Sequence, residues 1–152
     1  MAEHHHEICR VLNDLISTCN DSWEGFGKAA KGVHDDDLRN WLTEVSGERA
    51  RFAQELADEV TKRGAQPADA GHGGGILHRG WVDLETRIRP KDDGAIRLEC
   101  AQGEQSTLNH YDEALRLPLP DDVKQILSRH RNAIVATLIN FKPNEFVVSS
   151  SA

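Results

Sequence analysis

Apolar positions recur every three or four residues along nearly the whole chain, the period of a helix with one buried face. Ile8, Leu12, Leu15, Cys19, Trp23, Phe26 and Ala30 form the first such row and predict a helix over 5–31. Gly32 offers a stop, and Asp35, Asp36 and Asp37 offer N-caps for the next helix. Leu38, Leu42, Val45, Phe52, Leu56 and Val60 carry that helix to about residue 63, where Gly64 and Pro67 close it. A turn-rich connector over 64–75 leads into a short helix with Leu77, Trp81, Leu84 and Ile88 on one side, ended by Pro90. Asp92 and Asp93 then cap a helix whose inward row is Ile96, Cys100, Gly103, Thr107, Tyr111 and Ala114. Leu117-Pro118-Leu119-Pro120 turns the chain, and Val123, Leu127, His130, Ile134, Leu138 and Phe141 line the last helix before Pro143. No stretch carries the two-residue period of a strand.

The connections dictate how these rods stack. The first two long helices are joined by a few residues, and so are the last two, so each pair must be antiparallel. The long connection between the pairs is able to travel back and start the second pair parallel to the second helix. The expected fold is all-α: a ferritin-like four-helix bundle of two antiparallel hairpins with a short additional crossover helix. A single domain is expected over 1–143, followed by a C-terminal tail over 144–152.

Length and charge narrow the partners. A chain of 152 residues supports one core. Its 18 Lys and Arg against 25 Asp and Glu leave a net charge of −7, the wrong sign for a nucleic-acid surface. No apolar run is long enough to cross a bilayer. The N-terminus lacks the cationic start and apolar stretch of an export signal, so a cytoplasmic location is expected. Of the three cysteines, Cys9 and Cys19 stand about 15 Å apart along one helix, too far for a disulfide. All three are expected as buried thiols.

Several short runs together carry a resemblance. They are Leu12-Asn13-Asp14-Leu15-Ile16, Trp23-Glu24-Gly25-Phe26 and the stretch from Glu48 to Leu56, then Leu77-His78-Arg79-Gly80-Trp81, Leu98-Glu99-Cys100, Gly103-Glu104 and Tyr111. In this order they resemble a bacterial family of ferritin-like four-helix-bundle proteins catalogued as a domain of unknown function. The resemblance runs from about residue 7 to 118 and thins past Pro120. It implies a ferritin-like fold and a bacterial source, and it implies no activity.

A ferritin-like di-metal centre takes one Glu from each of two helices and Glu-x-x-His from each of the other two. Carboxylate oxygens bridge the metals and imidazoles close the ends. Glu24, Glu48, Glu99, Glu104 and His130 supply parts of such a set for iron or manganese. The rest is missing: Arg51 stands where Glu48 needs a histidine, and Leu127 stands where His130 needs a glutamate. A buried arginine nearby repels metal and neutralises a carboxylate instead. A second candidate cluster is His110, His130, Asp14 and Glu55, which the last hairpin is able to bring to one level for zinc or iron.

Plainer readings compete for the same residues. Glu44, Glu48, Glu55 and Glu59 form a wetted helix face compensated by Arg51, Lys62 and Arg63. Glu48 alone also fits the seam of Trp41, Val45 and Phe52. The run His4-His5-His6 is no site. Gly71 to Gly75 reads as a hinge, because no strand leads into it and no Gly-Lys-Ser/Thr follows. No nucleophile motif is present.

The expected function is therefore non-catalytic, without a resident cofactor. Such a bundle acts through self-association or a protein partner, in a stress-associated role. The alternative is a metal-binding oxidoreductase with a degenerate ligand set. Trp81, on a stripe with Leu77, Leu84 and Ile88 and beside Arg79, Arg87 and Arg89, predicts a homodimer through the crossover helix.

Overall fold

Among the described residues four helices form the frame: α1 (Ala2–Gly32), α2 (Asp36–Lys62), α3 (Asp93–Leu115) and α4 (Asp121–Phe141). This computed structural model describes residues 2–69 and 92–141, and no strand occurs among them. The expected crossover helix with Trp81, the Gly71 to Gly75 run and the C-terminal tail lie outside the described residues.

Local chemistry sets the helix ends. The Asp35 carboxylate accepts from the Leu38 amide at 2.8 Å and that of Asp92 from the Ala95 amide at 2.7 Å, each satisfying an amide the helix leaves open. Past the end of α2, Gly64 takes φ of +79°, a left-handed turn that a side chain would strain.

Cross-helix bonds give the directions. The Asp93 carboxylate accepts from the backbone amides of His34 and Asp35, both at 2.8 Å, so α3 begins at the α1–α2 corner. Moving away from that corner, Arg49 of α2 meets Glu104 of α3 and Thr137 of α4. Further on, Glu55 meets His130, and Arg63 reaches Asp122. Hence α2 and α3 run parallel and α4 returns antiparallel to both. The chain leaving α2 already turns back: Asn13 donates to the Gln66 carbonyl and accepts from the Ala68 amide, and Asn20 donates to the Asp69 carbonyl. Two antiparallel hairpins joined by one long crossover is the expected arrangement.

The apolar rows point inward as their periods require. Every residue of the α3 row is buried, and so is the α4 row up to Leu138. Phe141 closes the corner end by stacking on Phe26 and packing against Trp41. Trp23 departs from its row and is 40% exposed. Cys19, Ser22 and Phe26 face the core at three- and four-residue steps, which turns position 23 to the rim. The apolar interior forms two clusters, one near the corner around Phe26, Leu42 and Ile96, the other around Leu12, Leu56 and Leu127. A polar layer lies between them.

Candidate functional site

The polar layer is centred on Arg49. Leu42, Val45, Phe52 and Leu56 mark the buried face of α2, and position 49 falls in the middle of that face. The expectation placed Glu48 in this seam, and the structure puts it at the edge. The row through 42, 45, 49, 52 and 56 puts Arg49 inside, leaves the Glu48 side chain 33% exposed, and turns Arg51 to solvent.

Neither the Arg49 nor the Glu104 side chain reaches solvent. Arg49 Nη1 donates to Glu104 Oε1 at 2.5 Å and to Ser22 Oγ at 3.2 Å. Nη2 donates to Glu104 Oε2 at 2.6 Å and to Thr137 Oγ1 at 3.2 Å, and Nε donates to Glu48 Oε1 at 3.4 Å. A guanidinium has five N–H groups, and each of these finds an acceptor. The acceptors come from all four helices. The Phe26 and Phe52 rings lie 5.5 and 5.7 Å from the guanidinium carbon, one from each apolar cluster. Burial opposes the charge on Arg49, but Glu104 more than offsets it and holds the guanidinium protonated. Burial also pushes the Glu104 carboxyl upward, against the pull of Arg49. The two-fold donation onto both oxygens is the geometry of an ionised pair.

A second network starts at the surface and ends in the core. Arg129 pairs with Glu55, whose Oε1 lies 2.8 Å from His130 Nε2. His130 Nδ1 lies 2.8 Å from the Tyr111 hydroxyl, which lies 3.1 Å from Cys19 Sγ. Chemistry assigns the protons. Arg129 donation holds the Glu55 carboxyl below its usual range, so it is an acceptor. Burial pushes His130 down, so the ring is neutral and carries one proton, on Nε2 facing Glu55. Nδ1 then accepts from the Tyr111 hydroxyl, whose oxygen accepts from the Cys19 thiol. Burial pushes Tyr111 well up and Cys19 to about 11, so both keep their protons. Phe52 stacks on the imidazole at 3.8 Å between centroids.

The sequence-predicted residues divide between these networks and the surface. Of the first set, Glu104 and Glu48 meet at Arg49, and His130 belongs to the Glu55–Tyr111 chain. Glu24 and Glu99 are partly buried on α1 and α3. The second set splits: His130 bonds Glu55, whereas His110 Nδ1 lies 3.2 Å from Thr18 Oγ1. With Asp14, His110 lines a separate cleft of about 290 Å³ between α1 and α3. Among the described residues, no three His, Cys, Asp or Glu side chains are grouped so as to hold a metal ion. The wetted-face reading holds for exposed Glu44 but not for Glu59, which is buried under Lys62 and Arg63 at 2.9 and 3.0 Å.

Ser22, Arg49 and Thr137 escaped the sequence reading. Arg49 was open to detection, because it lies seven residues from both Leu42 and Leu56. Ser22 and Thr137 carry no such signal, being small polar residues beside apolar rows.

Residues 7–117 match the family described as "Domain of unknown function (DUF2383)". No curated protein matches the chain. No helix of the described residues is long and apolar enough to cross a membrane.

Proposed function

The chain belongs to that family, whose description carries no activity, and from the geometry of its core we propose a metal-free ferritin-like bundle protein that works by association and not by catalysis. The observation that carries this reading is Arg49 seated on both oxygens of Glu104. In a di-metal bundle a bridging glutamate offers those oxygens to cations. Here a fixed guanidinium supplies the positive charge, and a divalent ion brought to Glu104 meets it at contact distance. Neither Glu48 nor His130 belongs to a Glu-x-x-His motif, since Arg51 and Leu127 stand at the positions three residues away. Among the described residues, no three His, Cys, Asp or Glu side chains are grouped so as to hold a metal ion.

Self-association through the stripe around Trp81, or binding of a protein partner, is the activity left to such a bundle. Three free, buried cysteines suit a reducing cytoplasm. Anaerobic titration with iron(II) and with manganese(II) tests the reading. No stoichiometric uptake and no shift in Tm are expected. Uptake of whole ions per chain that disappears in Glu48→Ala overturns it. Light scattering at micromolar concentration tests the dimer, which a clean monomer removes.

A further inference from the structure

Tyr111 is the chain's only tyrosine and is fully buried. One-electron oxidation of a buried phenol is ordinarily blocked by its proton. The electron tunnels out through packed protein, whereas the proton of the resulting radical cation needs a base in direct contact. Tyr111 has that base: its hydroxyl donates to His130 Nδ1 at 2.8 Å, and the neutral ring offers a lone pair there. We propose that Tyr111 is a proton-coupled one-electron donor, passing its electron to a small one-electron oxidant in solution and its proton to His130.

The step balances. The Tyr111 O–H bond breaks, an N–H bond forms at Nδ1, and the oxidant is reduced by one electron. Tyr111 becomes a neutral phenoxyl radical and His130 an imidazolium. A reductant that returns the electron sends the proton back across the same hydrogen bond.

The surroundings fit each product. The imidazolium faces the Glu55 carboxylate at 2.8 Å, so its charge is balanced within the core. The phenoxyl oxygen keeps the Cys19 thiol as a donor at 3.1 Å. Phe52 covers one face of the imidazole. The charged groups acting on His130 are Glu55 and Arg49 from α2 and Arg129 from α4; Cys19 of α1 and Tyr111 of α3 stay neutral.

The test is stopped-flow oxidation of the whole protein by hexachloroiridate(IV), with electron paramagnetic resonance on freeze-quenched samples. A neutral tyrosyl signal is expected and must come from Tyr111, the only tyrosine. Cys19→Ala is run in parallel, so that a hydrogen atom passed from the thiol to the phenoxyl does not hide it. Tyr111→Phe loses the signal and the associated oxidation phase. Glu55→Gln, altered at the protein's edge, slows that phase about tenfold, the effect of weakening the base by one pKa unit. In the wild type the phase slows as pH falls and His130 takes a proton from solvent. Absence of a tyrosyl signal in both wild type and Cys19→Ala overturns the proposal. So does a Tyr111 phase that is flat with pH and unchanged in Glu55→Gln.

Discussion

Arg49 and Glu104 face each other inside the bundle with two guanidinium nitrogens on two carboxylate oxygens, at 2.5 and 2.6 Å, and neither side chain touches water. Two unpaired charges there would each carry a desolvation penalty of several kcal/mol. The pair is tolerated because every remaining N–H of Arg49 also has an acceptor, on Ser22, Glu48 or Thr137. The same bonds tie four helices to one group.

Removing one partner should therefore cost far more than removing both. Arg49→Met is expected to lose about 3–5 kcal/mol, since it leaves the Glu104 carboxylate buried without its cation. Arg49→Met combined with Glu104→Leu should recover most of that loss. Urea denaturation of the two single variants and the double variant measures the coupling. Additive losses would mean that the two side chains do not act as a pair.

The His130 chain gives stability a pH dependence with a definite sign. Burial lowers the folded pKa of His130 below 6.5, so near that pH the unfolded chain binds more protons than the folded one. The contribution is complete above about pH 6.5 and is lost as pH falls from there through the folded value. Glu55 adds the same sign at lower pH, because its folded pKa also lies below the ordinary one. The urea midpoint should fall between pH 7.5 and pH 5. His130→Gln should be less stable at pH 7.5 yet show a shallower fall. Equal slopes in the two proteins would assign the effect to other histidines.

Gly64 tests the backbone alone. A Cβ added there meets nothing within 4 Å, so packing is indifferent, but φ is +79°. Gly64→Ala is expected to cost about 1 kcal/mol, against the usual gain from replacing glycine. Thermal denaturation reads it as a Tm lowered by a few degrees.

Asn13 holds the first part of the crossover to α1 through Gln66 and Ala68. Asn13→Ala should speed tryptic cleavage after Arg63 several-fold while leaving the far-UV circular dichroism of the bundle unchanged. Unchanged cleavage would mean that other contacts hold the segment.

Much of this fold was legible in the sequence because it follows from apolar rows and connection lengths. The rows of α3 and of α4 up to Leu138 are buried, and the long connection after α2 allows the parallel α3 that the structure has. The site was only partly legible. Glu104 was in view, and so was His130 with Glu55, but the other partners depend on helix rotation. A shift of one residue, about 100° around α2, separates Arg49 inside from Glu48 at the edge. The Tyr111–His130–Glu55 chain depends on the angle between α2, α3 and α4, which no single row encodes. Glu59 looked wetted because its neighbours are charged, yet those same neighbours, Lys62 and Arg63, are what cover it.

The central claim is that Arg49 takes the part a metal plays in a di-metal bundle. Metal content of the protein purified without chelator, measured by inductively coupled plasma mass spectrometry against protein concentration, tests it most directly. The account predicts iron, manganese and zinc each far below one ion per chain, unchanged in Glu104→Gln. Whole-number occupancy that vanishes in Glu104→Gln would contradict it.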